Sequence, residues 1–251
     1  MKKPISSIVI AVVLSGVKKS LGLAGLAIAT ALAGALMAPT AIAAPIAIYW
    51  TDRDAATLNK HDLSTNTVLV PPTGGRLQDV DLDPATGTLF FSDWGPPGPP
   101  GGEGSINQVN TDGTGLATVF STGDAVHQLA LDQVNNRIFF TRAVSYDNHE
   151  ISVVNMNGTG YTIFLSGGGD GPGWFPSGLA LDSANNKLYW GDIGVILNPP
   201  NGAVNVMNTD GTVQTQLQPH VDGRGRGFAL HSNSRRVSKA SDYHVRCTGL
   251  S

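Results

Sequence analysis

Three short motifs recur along this chain in a fixed order, at intervals of about 41 to 50 residues. The clearest copy reads Leu179-Ala180-Leu181-Asp182, a turn through Asn185-Asn186, then Lys187-Leu188-Tyr189-Trp190-Gly191-Asp192. After a Gly/Pro loop it closes on Asn208-Thr209-Asp210-Gly211-Thr212. Self-similarity at this period marks a stacked or circular repeat architecture, in which one unit cannot bury its apolar face alone.

The other copies keep the order. The aromatic-acid motif is also Tyr49-Trp50-Thr51-Asp52, Phe90-Phe91-Ser92-Asp93 and Phe139-Phe140-Thr141-Arg142. The apolar-acid motif is also Val80-Asp81-Leu82-Asp83, Leu129-Ala130-Leu131-Asp132 and Phe228-Ala229-Leu230-His231. The Asn-x-Asp/Asn-Gly-Thr motif recurs at 110–114 and 155–159, with a weaker first version at 62–66. Asp-Gly and Asn-Gly between β-prone runs signal hairpins, because both residues tolerate positive φ. Asn135-Asn136 and Asn185-Asn186 supply a second turn. Each repeat thus holds four short antiparallel strands, and no helical period extends beyond the first ~45 residues. Four-stranded units at this period predict an all-β chain folded as a β-propeller.

Tyr49-Trp50-Thr51-Asp52, the Leu-Ala-Leu-Asp strands and the Asn-x-Asp-Gly-Thr hairpins resemble the YWTD repeats, or class B repeats, of the low-density lipoprotein receptor family. The resemblance runs over residues 46–231. It implies a propeller in which six blades close a ring and the signature aspartate braces neighbouring blades through backbone hydrogen bonds. That role falls here on Asp52, Asp93 and Asp192, while the third copy carries Arg142 instead and must be braced differently. The chain holds about four blades rather than six. Strand 227–231 could close a four-bladed ring by pairing with 46–52, but six-blade wedge angles favour an open arc. Its exposed terminal blades offer a route to self-association.

The ends stand apart from the repeats. Residues 1–43 carry Lys2-Lys3, apolar runs 8–14 and 21–37, and a small-x-small site at Ala41-Ile42-Ala43. That pattern predicts a helical signal peptide of bacterial type, so the propeller domain spans 44–231 and is secreted, periplasmic or on the cell surface. No membrane association is expected once the leader is removed. Residues 232–251 lose the pattern and read as an irregular tail, disordered or frame-shifted.

Residues 44–251 carry 12 basic and 19 acidic side chains, a net charge of −7, which argues against nucleic acid as partner. The single Cys247 cannot form an intramolecular disulfide, so the sheets depend on packing.

No catalytic constellation is visible. The six histidines lack metal-ligand spacing, and no nucleophile elbow or phosphate-cradling loop is present. Aligning the repeats puts Gln78, His127, Ser177 and Arg226 at one level, with Asp79 and Gln128 beside it. These positions vary on a constant frame, where binding usually lives. Trp174-Phe175 precede Ser177 on a Gly-rich approach and could stack on a sugar or a protein partner. The preferred function is therefore a non-catalytic binding scaffold for an unidentified protein or carbohydrate. The alternative is a calcium-dependent, lactonase-like propeller hydrolase using Asp79, His127 and Asp222. No cofactor is implied, and calcium is the one candidate, because carboxylates at one level around a channel could hold it. Gly95–Gly101 and Asn198–Asn201 read as stiff loops, and the sequon at Asn157 as a hairpin turn.

Overall fold

The computed structural model describes residues 7–9, 47–62, 64–96, 103–145, 148–166, 175–192, 202–221, 227–231 and 236–240. They form antiparallel sheets following one another along the chain. The first blade contains β1 (Ser7–Val9), β2 (Ile48–Asp52), β3 (Thr57–His61) and β4 (Asn66–Val70). The second contains β5 (Leu77–Asp83), β6 (Thr88–Asp93), β7 (Ser105–Asn110) and β8 (Ala117–Ser121). The third contains β9 (Ala125–Asp132), β10 (Arg137–Ala143), β11 (His149–Asn155) and β12 (Thr162–Ser166). The fourth contains β13 (Pro176–Asp182), β14 (Lys187–Asp192), β15 (Gly202–Asn208) and β16 (Thr215–Val221). A two-stranded sheet of β17 (Gly227–His231) and β18 (Arg236–Ala240) follows. The innermost strands β1, β5, β9, β13 and β17 neighbour one another in that order, as the blades of a propeller do.

The aromatic pair of each repeat explains how the blades pack. Successive side chains on a strand point to opposite faces. Phe90 therefore packs forward with Val126, Leu129 and Phe140 of the third blade, while Phe91 packs back with Leu58 and Val70 of the first. Phe140 faces back and Phe139 forward, the latter against Leu188 and Trp190. The hydrophobic core is thus a series of layers between blades, and two adjacent aromatics serve both layers at once. Trp190 is fully buried, whereas Trp50 on β2 is only half-buried.

The hairpins form as their sequence dictates. In the second blade Gly113 donates to the Asn110 carbonyl (2.8 Å), Asn110 N–H donates to Thr114 (2.8 Å), and Asp112 Oδ1 accepts from the Thr114 N–H (2.9 Å). The same bonds recur at 155–159 and 208–212. Asn136 and Asn186 adopt φ of 53° and 51°, the left-handed conformation that asparagine tolerates.

Two expectations change at the ends. Of the leader, only Ser7–Val9 lies within the described residues, and there it is a strand rather than a helix, pairing with Tyr49–Thr51. The first repeat starts at its second strand, so β2 has an open inner edge, and β1 satisfies its hydrogen bonds. The strap between 227–231 and 46–52, the less favoured alternative to an open arc, is not seen among the described residues. Instead β17 pairs with β18, so residues 236–240 of the expected irregular tail continue the antiparallel pattern. The remaining residues of both ends lie outside the described residues, as do most of loop 95–101 and all of loop 198–201.

Candidate ligand-binding rim

The variable positions lie at bulges. Strand pairing slips between Leu77 and Val80 in β5, between Val126 and Leu129 in β9, and between Ser177 and Leu179 in β13. A bulge frees backbone groups from the ladder and re-aims side chains. Here the freed groups are taken up by hydroxyls from the position before the signature acid. Ser92 Oγ accepts from the Asp79 N–H (3.1 Å) and donates to the His127 carbonyl of the next blade (2.6 Å). Thr51 Oγ1 donates to the Gln78 carbonyl (3.2 Å), and Thr141 Oγ1 accepts from the Gln128 N–H (3.1 Å). The fourth blade has Gly191 at this position and no such hydroxyl. Gln78 and His127 are therefore brought to one level by cross-blade bonds to their own backbones. Ser177 pairs with Gly191 at the matching position of β13. Arg226, Trp174 and Asp222 lie outside the described residues.

The signature acids act one step further out. Asp93 accepts from Arg76 N–H (2.8 Å), Gly95 N–H (2.8 Å) and Thr73 Oγ1 (3.2 Å), tying down the segment that enters its blade from the first. Asp192 likewise accepts from Phe175 N–H (3.0 Å). Asp52 differs: it accepts from Asp54 and Ala55 in its own turn, at 3.0 and 2.9 Å. In the third blade, Arg142 reaches Asp124 of the entering segment (3.0 Å) and Glu150 (2.8 Å). The donor and acceptor have exchanged sides, and an ion pair holds the same kind of segment. Among the described residues, no group of three His, Cys, Asp or Glu side chains is placed to hold a metal ion.

Side chains that the repeat alignment did not single out complete the rim. Trp94 follows Asp93, and the guanidinium groups of Arg53 and Arg76 lie 4.8 and 5.3 Å from its ring centre. His127 sits 5.1 Å from Trp94 and 5.6 Å from Phe175, and His149 lies 4.1 Å from Phe175. Arg53, Arg76, Trp94, His127 and Phe175 are half-buried, and His149 is buried. Arg53 and Arg76 also wall a cleft of about 550 Å³ with Asp54, Pro72, Gly74 and Gly75. The signal for this cluster was adjacency, since Trp94 directly follows a signature acid and Arg76 precedes the bulge of β5 by two residues.

Below the rim, Asp79 and Asp81 on β5 face β9. Asp79 Oδ2 accepts from Leu129 N–H (2.9 Å) and Asp81 Oδ2 from Leu131 N–H (3.2 Å). The other oxygens accept from Val80 and Leu82 N–H, at 3.0 and 2.9 Å. Burial raises the Asp79 pKa to about 7; the Leu129 and Val80 N–H groups oppose the rise, and the neighbouring Asp81 charge adds to it. Asp81 is also raised, by burial first and then by Asp83, against the Leu131 and Leu82 N–H groups.

No family model matches the chain. A vitellogenin receptor of Solenopsis invicta is 23% identical over 150 residues, covering 58% of this chain and 8% of the receptor. The structure of a nidogen/laminin complex matches with a TM-score of 0.64 and 18% identity, over 78% of this chain and 69% of that one. Hydrazine synthase of Kuenenia stuttgartiensis matches with a TM-score of 0.57 and 10% identity, over 76% of this chain and 57% of that one. The chain thus spans a small fraction of the receptor. At these identities the likeness is one of fold, and the fold is that of β-propeller blades, four-stranded and antiparallel.

Proposed function

We propose that this chain is an exported, non-catalytic scaffold that binds a protein partner on the rim formed by Gln78, Trp94, His127 and their neighbours, with Ser177, Arg226 and Trp174 kept as further candidates on their sequence positions alone. One observation carries the reading. The repeated residues hold the architecture together, while the residues at the bulge level differ from blade to blade and gather cations and aromatics from three blades. Aromatic and arginine side chains are the groups most enriched where proteins bind tightly. The nidogen match comes from a complex with laminin, which supports a protein as the class of partner. The leader-like pattern of residues 1–43 supports export, and its removal would take β1 away and reopen the inner edge of β2.

The test is selection of a random displayed peptide library on the immobilised full chain. Recovered peptides are then measured against the wild type and the Trp94→Ala/His127→Ala double variant. The expected result is binding that the double variant loses at least about tenfold, as removal of aromatic anchors does. Peptides that bind both proteins equally would overturn the rim as the binding face.

A further inference from the structure

Arg53, Arg76 and Trp94 meet where the first blade joins the second. The guanidinium carbons of the two arginines lie 4.8 and 5.3 Å from the centre of the Trp94 ring, within cation–π range. Both arginines also face one cleft, of about 550 Å³, with Asp54, Gly74 and Gly75 on its walls. The arginines and Trp94 are half-buried, and Asp54 is exposed.

The signature acids place this cluster. Asp52 caps the turn that carries Arg53, accepting from Asp54 and Ala55 N–H at 3.0 and 2.9 Å. Asp93 holds the Arg76 N–H (2.8 Å), and the Arg76 carbonyl accepts from Trp94 N–H (3.0 Å). Thr73 N–H joins the two cleft walls by donating to the Ala56 carbonyl (3.2 Å). Gly75 packs so closely on Asp93 that a Cβ there would lie 2.2 Å from both carboxylate oxygens. The three side chains thus project from a fixed backbone, and a ligand has little ordering to impose on it.

The architecture does not require these residues. The third blade has Ala143 where the first two have Arg53 and Trp94, directly after the signature position. Strand register puts Ala125 and Phe175 at the position of Arg76 in the next two blades. Arg137 and Arg142, by contrast, form ion pairs with Asp132, Asp124 and Glu150 that belong to the frame.

A guanidinium lying over an aromatic face keeps its N–H edge for planar, bidentate bonds, and it is weakly enough hydrated to suit a half-buried site. Two such forks and the Asp54 carboxylate leave the cleft one positive charge in excess. That matches the single charge of a carboxylate better than the near-double charge of a phosphate ester.

We propose that this cleft is the specificity pocket of the rim: Arg53 and Arg76, held over Trp94, seat the carboxylate of an aspartate or glutamate in an acidic segment of the partner. The inference rests on the rim being the binding face, and it names the chemistry that the rim selects.

Two measurements on the full chain test the pocket. In the first, peptides recovered from the displayed library are measured against Arg53→Gln/Arg76→Gln and against Asp54→Asn. The expected result is an Asp or Glu at one fixed position of the peptides and binding at least about tenfold weaker to the double variant. Asp54→Asn, which removes the one acid on the cleft wall, is expected to tighten binding about two- to fivefold. Peptides that need Trp94 and His127 but bind the double variant as well as wild type would overturn the pocket and leave the rim standing. Peptides indifferent to Trp94 and His127 but lost with the two arginines would overturn the rim and keep the pocket.

The second measurement needs no substitution and no selected peptide. The arginine Nε–H resonances of the wild type are followed during titration with N-acetyl-aspartate amide, with N-acetyl-asparagine amide as the neutral control. Saturable shifts of Arg53 and Arg76, without shifts of Arg137 and Arg142, are expected from the acid alone. Equal responses to the two probes, or none, would overturn the proposal. A larger response to inorganic phosphate would overturn the assignment to a carboxylate.

Discussion

The Ser92 hydroxyl donates to the His127 carbonyl across 2.6 Å while accepting from the Asp79 N–H at 3.1 Å. One side chain therefore closes a bulge in its own blade and fastens the inner strand of the next. Ser92 is fully buried, so replacing it with alanine leaves both backbone groups without this partner. The expected cost of Ser92→Ala is about 1–3 kcal/mol in urea unfolding, the penalty for an unsatisfied buried polar group, with Ser92→Thr retaining most of the stability. A Ser92→Ala protein as stable as wild type would contradict the stapling role.

Arg142 replaces an aspartate and is held by Asp124 and Glu150. Arg142→Ala leaves the buried Glu150 without its cation and is expected to cost about 3 kcal/mol. Arg142→Asp, which writes the repeat signature back into this blade, is expected to be worse still, because it places a third carboxylate beside two others. Thermal unfolding of the two variants checks the order, and a stabilised Arg142→Asp would overturn the exchanged-brace account.

Two hairpin glycines separate backbone strain from crowding. Gly113 and Gly158 have φ of 87° and 82°, so alanine at either bears the left-handed cost of about 1–2 kcal/mol. A Cβ at Gly113 would meet nothing closer than 3.7 Å, whereas at Gly158 it would lie 2.1 Å from the Val119 carbonyl oxygen of the preceding blade. Gly158→Ala is expected to be more damaging than Gly113→Ala by about 1–3 kcal/mol, the range for overpacking. Equal losses in chemical denaturation would mean that the turn does not abut the neighbouring blade.

Trp50 and Trp190 occupy the same motif position in different packing. Trp190 is fully enclosed between the third and fourth blades, and Trp50 is half-buried on the first. Trp190→Ala is expected to cost about 3–5 kcal/mol and Trp50→Ala clearly less. Similar costs would mean that the first blade is covered as completely as the inner ones and that the arc is closed.

Much of the fold was legible because the repeat writes each element several times. The Leu-x-Leu-Asp strands, the Asn turns and the Asp-Gly hairpins all lie where local chemistry put them. The aromatic pair was legible as a strand, but not as two residues serving opposite layers, since that depends on which blades flank it. The ends were not legible, because the pairing of β1 with β2 and of β18 with β17 answers open edges rather than sequence patterns. At the site, sequence reading brought out Gln78, His127 and Phe175, yet missed Trp94, Arg53 and Arg76, which converge from turns and connecting segments. The aspartate was expected to brace blades through backbone bonds. Cross-blade fastening of the inner strands belongs also to the hydroxyl before it, which reads as an unremarkable Ser or Thr in sequence.

The central claim is that partners bind at the bulge-level rim. Hydrogen-exchange footprinting of the full chain with a library-selected peptide tests it most directly. Protection concentrated at residues 76–79, 94–95 and 126–128 is the expected result. Protection confined to the hairpin tips at 111–113, 156–158 and 209–211, at the other end of the blades, would contradict it.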